Sequence, residues 1–311
     1  MNSEFDKLWK NGSKKDMLRM LGSIEGIDSV KSIAEAVQKP VPRFVEFNLH
    51  NDSDMIFVVP TADSRGEHAR RFLENIGKTP VIFSESSGTG FNYSYSCNRV
   101  IDRAMENGYK WIIVSNDDIV IEESLARFQE ALEPLGRNRV YTPKANGSVN
   151  SFYHGETFSV FKGSIPLLLL EIYNLRFINK VNGMDLSTIT FFMRAFPQMK
   201  RFEKYQVAVN HTIDVWGKIG SKVTPRIINF ADFGIFPSEV LKKHRFDETF
   251  FNGKEDYDLA IRLHLAGIRI EKLDLDVKSI GSGTFSRLNP SLIKEAYNNI
   301  YFGLKMEFLG L

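Results

Sequence analysis

The chain has 311 residues, 40 Lys plus Arg against 38 Asp plus Glu, a net charge of +2 and one cysteine. That balance, with no basic stripe, excludes a dedicated nucleic-acid binder, and the lone Cys97 excludes an intramolecular disulfide or a cysteine-based zinc cluster. No apolar run has the length of a membrane span ("IPLLLLEIY", 165–173, is the longest) and the polar amino end is no secretory signal, so the expected address is the cytoplasm.

Residues 1–50 are expected to form a helical extension. "KKDMLRMLGSI" and "SVKSIAEAVQ" carry apolar residues at three- and four-residue spacings, and Pro40 and Pro42 close the segment. A strand–helix alternation follows: strand 55–60, helix 66–77, strand 80–85, helix 92–108, strand 111–115 and helix 122–136. Apolar strands alternating with helices predict an α/β protein with a mostly parallel sheet covered on both faces. The carboxyl ends of the strands then share one edge, where ligands of such sheets bind. Residues 150–225 mix helix-like runs such as "SIPLLLLEIYNLRFI" with aromatic stretches in no clear order. Regularity returns with "RIINFADFGIF" (226–236), a helix at 254–267 and a strand at 268–277. The last element, 290–309, reads as an amphipathic helix with Leu292, Ile293, Ala296, Tyr297, Ile300, Tyr301, Leu304 and Phe308 on one stripe. That stripe is expected to pack on the protein's own core, with a homodimer contact as second candidate.

Two acidic clusters stand out. In "WIIVSNDDIVI" (111–121), Asn116, Asp117 and Asp118 follow a buried strand. Asn and Asp are good turn formers, which is one reading. The other is a divalent metal site, because Mg²⁺ or Mn²⁺ prefers carboxylate oxygen and a cation relieves the repulsion between adjacent acids. In "KEDYDLAIRLHLAG", Glu255, Asp256 and Asp258 open a helix. Acids in a first turn complement the helix dipole, and Asp258 with Arg262 is an ordinary i, i+4 pair. Three acids exceed what capping needs, and a carboxylate held at a cleft is a good general base, which favours a functional role for Asp256. Cys97, on an apolar helix face, reads as core, and the scattered histidines form no ligand or triad pattern.

"VVPTADSR" after the first strand, Glu85 after the second, "NYSYSCN" on a helix, "VSNDDIVI" and "FDETFFNGKEDYDLAIRLHLAGIRI" occur in that order over roughly 55–281. In this the chain resembles a family 2 glycosyltransferase of the GT-A fold. The resemblance implies a Rossmann-like sheet over 51–311, divided into a nucleotide-sugar half (51–145), an acceptor half (146–285) and a C-terminal helix (286–311) beyond the 1–50 extension. It implies a hexosyltransferase-like enzyme that moves a sugar from a nucleotide-sugar donor to a glycan, lipid or protein hydroxyl with inversion. Pro60, Thr61, Asp63, Glu85, Asn98, Asn116 and Asp117 would serve the donor and Asp118 the metal of a DxD-like motif. Asp256 would be the base with Glu255 beside it, and Phe233 and Gly234 would line the acceptor cleft. The family's frequent histidine after the final strand has no counterpart here; Ser279 stands near that place. Mn²⁺ or Mg²⁺ would then rest on Asp118, donor phosphates and water. A nucleotidyltransferase on a similar sheet, or a non-catalytic sugar-nucleotide or glycan binder, are the alternatives.

Overall fold

The computed structural model describes residues 2–49, 53–143, 157–158, 227–230, 232–280 and 289–311. Three short helices come first: α1 (Asn2–Asn11), α2 (Lys14–Gly22) and α3 (Ile27–Ala36). Ser13 starts α2 by accepting a hydrogen bond from the Asp16 N–H at 3.2 Å, which satisfies one of the free donors of a first turn. The expected helical extension ends there. Arg43–Phe47 form β1, an edge strand antiparallel to β3 (Val81–Glu85). "RFVEF" is rich in β-prone residues, and Pro40 and Pro42 keep it out of a helix.

The predicted alternation follows, through β2 (Met55–Thr61), α4 (Glu67–Ile76), β3, α5 (Tyr93–Glu106), β4 (Trp111–Ser115), β5 (Ile119–Ile121), α6 (Leu125–Leu132) and β6 (Val140–Pro143). Gly77, at φ 57°, ends α4 with a conformation that glycine adopts freely. Helix α6 begins later than expected because Ser124 caps it, accepting from the Arg127 N–H at 3.3 Å. Beyond lie β7 (Thr157–Phe158), β8 (Ile227–Ile228), β9 (Phe233–Pro237), α7 (Ser238–Lys243), α8 (Glu255–Leu265), β10 (Ile270–Leu273), β11 (Val277–Ser279) and α9 (Asn289–Phe308). The expected strand 268–277 is two strands in two sheets: β10 pairs with β6, while β11 pairs antiparallel with β5. The expected helical runs within 150–225 lie outside the described residues.

The chain is α/β, with a seven-stranded mixed sheet in the order β1-β3-β2-β4-β9-β6-β10. Strands β2, β3, β4, β6 and β10 run one way, and β1 and β9 run against them. Every residue of β2 is buried, and alternate residues face opposite layers. Phe57 and Val59 pack with Phe72 and Ile76 of α4 and Phe128 of α6. Ile56 and Val58 pack with Val100 and Ile101 of α5, and the same cluster continues through α8, α9 and the three amino-terminal helices. The 1–50 segment thus shares the main core. On α9, Ala296, Tyr297, Ile300 and Tyr301 are buried against that core, whereas Phe308, expected on the same stripe, is 77% exposed. Among the described residues no helix is long and apolar enough to cross a membrane.

One topological feature positions the site. From β2 the chain passes outward to β3, then back across to β4 on the other side of β2. Neighbouring strands whose connections leave in opposite directions open a crevice at their carboxyl ends. Here that crevice lies between Thr61 and Ser115.

Candidate active site

Asp117 and Asp118 form the turn between β4 and β5. Because β5 pairs with β11, Ile119 opposite Ser279, the turn is held from both sides. The Ile280 N–H donates to the Asp118 carbonyl at 2.9 Å, and the Ser279 hydroxyl donates to Asp118 Oδ2 at 3.2 Å. Asp118 Oδ1 is buried and has no hydrogen-bond partner among the described residues. Burial, then the charge of Asp117, pushes the Asp118 carboxyl up to about 6, against the pull of the Ser279 hydrogen bond. Across the crevice the Thr61 hydroxyl donates to Asp117 Oδ2 at 2.6 Å, so the ends of β2 and β4 are joined at the switch point. Thr61 also accepts from the Asp63 N–H at 3.2 Å, while the exposed Asp63 accepts from the Arg65 N–H at 2.9 Å and shapes the following loop. Pro60 is buried within β2.

Glu85 ends β3 at the same edge, with its carboxylate engaged by the protein. Ser64 donates to it through both its N–H (3.0 Å) and its hydroxyl, and Arg43 through one nitrogen to both oxygens at 2.9 and 2.8 Å. These bonds, Ser64 first, hold the group down at about 2. Asn98 is likewise engaged: its amide donates to the Phe246 carbonyl and Glu248 Oε1, both at 2.9 Å, and its oxygen accepts from the Phe246 N–H at 3.1 Å. It staples α5 to the segment before α8. The polar groups of both residues are thus engaged within the fold.

The second acidic cluster opens α8. Asn252, Gly253 and Lys254 all have positive φ (56°, 154° and 72°), a run that costs free energy at Asn and Lys. It delivers Glu255 to a buried position where the Gly253 N–H donates to its carboxylate. Burial, then the charge of Asp256, raises the Glu255 carboxyl well above the usual range. Asp256 is half-buried and accepts from Asn229 Nδ2 at 2.6 Å. Asp258 is fully buried and pairs with Arg262 at 2.8 Å, as the spacing predicts, and with Lys305 of α9 at 2.6 Å.

The two clusters meet through Asn116 and Tyr93. The Asn116 amide donates to Asp232 Oδ1 at 3.0 Å, and Asp232 lies three residues from Asn229, the partner of Asp256. The Tyr93 hydroxyl donates to Asn116 Oδ1 at 3.1 Å, while its N–H donates to Asn252 Oδ1 at 2.9 Å, just before Glu255. Two routes of hydrogen bonds, completed by short stretches of chain, thus link the Asp117–Asp118 turn to the start of α8. Sequence reasoning missed Tyr93, Asn229 and Asp232. The available signal was "NFAD" (229–232), polar residues at both ends of a short break between apolar strands.

Phe233 and Gly234 require a correction. Expected to line an acceptor cleft, they are core residues of β9, opposite Ser115 and Val114. Phe233 is 0% exposed and sits against Phe57 and Phe128 with ring centroids 6.3 and 6.1 Å away. A Cβ on Gly234 would meet the Phe236 ring at 2.4 Å, so the glycine permits close packing. The reason is topological: β9 runs between β4 and β6 and is covered on both faces. Cys97 is core as expected, its thiol pushed up by burial.

Among the described residues no three His, Cys, Asp or Glu side chains gather to hold a metal ion. The Asp118–Asp117 pair still suits a hard cation as a partial shell, because one buried carboxylate oxygen lacks a partner and the two charges repel. An open depression of about 580 Å³, lined by Phe44, Glu46, Arg99, Asp102, Arg103 and Glu106, lies toward the far end of α5 from Tyr93. The chain matches no protein-family model and no curated protein.

Proposed function

We propose that the chain is a glycosyltransferase of GT-A type that moves a sugar from a nucleoside-diphosphate donor to an acceptor hydroxyl. The observation that carries this reading is the link from the Asp117–Asp118 turn, through Asn116 and Asp232, to Asp256 at the carboxyl edge of the sheet. A transferase of this kind needs two acidic functions within one cleft, and they have different electrostatic tasks. One side must offset the charge that grows on the departing diphosphate. The other must accept the proton of the attacking hydroxyl.

Asp118, with Asp117 beside it, would hold a divalent ion, Mn²⁺ or Mg²⁺, which supplies Lewis-acid stabilisation of the leaving diphosphate. Thr61 fixes Asp117 on the opposite lip of the crevice. Asp256 suits the base: it is half-buried, near enough to solvent for a ligand to reach, and its Oδ2 accepts the Asn229 amide. Glu255 is buried and its carboxyl is raised, which disfavours it as the base and leaves that role to Asp256. Glu85 and Asn98 support the loops that would enclose the donor.

The test is a panel of UDP-, GDP- and TDP-sugars with Mn²⁺ or Mg²⁺, reading released nucleoside diphosphate. Asp256→Asn is expected to lower turnover by about 10²- to 10⁴-fold while donor affinity stays close to wild type. Pyrophosphate release in its place identifies a nucleotidyltransferase. Tight donor binding with no release, with any acceptor, identifies a binding protein.

A further inference from the structure

We propose that Asn229 is a positioning residue that fixes the carboxylate of Asp256, an inference that rests on Asp256 being the base. Asn229 follows β8, is 0% exposed, and its Nδ2 donates to Asp256 Oδ2 at 2.6 Å. The other half of the same amide, Oδ1, is buried with no hydrogen-bond partner among the described residues. A buried acceptor without a donor destabilises a fold, and an apolar side chain of similar shape removes that penalty. An asparagine retained for stability alone would have both ends satisfied. Here one end is sacrificed so that the other can hold a carboxylate at the mouth of the crevice.

The geometry explains what the bond does. Asp256 stands at the second position of α8, in the turn that follows three residues of positive φ, with Lys254, Glu255 and Asp258 as its charged neighbours there. A carboxylate in a first turn can rotate toward the free N–H groups of its own helix. The amide arrives from a different element, between β8 and β9, and holds the carboxylate at Oδ2. It also donates to the ionised form, which favours the state that can take a proton. Asp232, three residues further on, fixes Asn116 beside the first acidic cluster, so one short segment sets the spacing of both sides.

The experiment compares full-length wild type with Asn229→Leu, Asn229→Ser and Asp256→Asn. Three quantities are read: melting temperature, kcat and KM with the sugar-nucleotide panel and Mn²⁺, and the titration of the Asp256 carboxyl by ¹³C NMR. Asn229→Leu is expected to melt at or above the wild-type temperature, because it removes an unpaired buried oxygen. Its kcat is expected to fall on the order of a hundredfold with donor KM unchanged, as misplacement of a reacting group predicts. The Asp256 midpoint should rise, since a donor to the charged form is gone. Asn229→Ser, which can still donate, should recover part of kcat, and it decides the matter should the leucine variant fail to fold. Wild-type kcat in Asn229→Leu beside an inactive Asp256→Asn overturns the proposal. So does an Asp256 midpoint that does not move, and that readout decides even where no sugar nucleotide turns over. Wild-type turnover in Asp256→Asn is a separate result: it removes the base assignment, and the role of Asn229 with it.

Discussion

Thr61 and Glu255 show how single side chains set the chemistry of this edge. Thr61→Val keeps the shape and deletes one hydroxyl, leaving Asp117 without its 2.6 Å donor. Urea unfolding should register a loss of about 1 kcal/mol, and sugar-nucleotide binding by calorimetry should weaken; an affinity equal to wild type would separate Asp117 from the donor site. Glu255 gives a pH signature. Its carboxyl is raised in the fold, so the native state holds a proton that the unfolded chain releases above the ordinary value of 4.5. Stability is therefore full below that value and declines as pH rises toward the raised one. Glu255→Gln should flatten the decline, so that variant and wild type are alike at pH 4 and the variant is the more stable at pH 9 in thermal melts. At this scale the sequence was partly legible. Asp118 and Asp256 were visible because acids at strand and helix ends are conspicuous. Asn229 and Asp232 were not, since nothing local tells a turn asparagine from one that reaches another element.

Lys305 ties helix α9 to α8 and to the segment before it. Lys305 pairs with Asp247 at 2.5 Å and with Asp258 of α8 at 2.6 Å, and it is 13% exposed. Lys305→Met removes a charge shared by the buried Asp258 and the half-buried Asp247, and a loss of about 3–5 kcal/mol is expected in chemical denaturation, as when one partner of a buried pair is deleted. Asp247 sets the acid limit. Burial alone would raise its carboxyl, but Lys305, the Tyr301 hydroxyl and the Thr249 N–H together hold it at about 2. A depressed carboxyl stabilises the fold above its ordinary value of 3.8, and the contribution disappears as pH falls from there through about 2. Asp247→Asn should remove that portion of the acid transition, of the order of 2 kcal/mol, in a pH-dependent melt. The elements themselves were largely legible, because period-two and period-3.6 patterns mark single strands and helices. Strand β1 was missed because five residues beyond a double-proline break carry too little pattern. The split between β10 and β11 was missed because alternation continues through Asp274-Leu275-Asp276 while the chain changes sheets.

At the scale of the molecule, the amino-terminal helices belong to the fold. Trp9 is 2% exposed and packs on Phe251 and Tyr297, with ring centroids 4.5 and 5.1 Å away. Trp9→Ala should destabilise the whole chain by about 3–5 kcal/mol in one cooperative transition; a separate early transition would instead make 1–50 an independent appendage. The mostly parallel sheet and its shared carboxyl edge followed from the alternation, but the order of strands did not. Strand β9 lies between β4 and β6 although it comes long after both in sequence, and no local pattern encodes a non-local pairing. That late arrival also shapes synthesis. Until Phe233–Pro237 leave the ribosome, β4 has no partner on one side, and its bare backbone is a template for any other extended chain. Nascent chains arrested before residue 233 should therefore recruit chaperones and be cut readily by protease, and both sensitivities should drop once β9 can reach its seam.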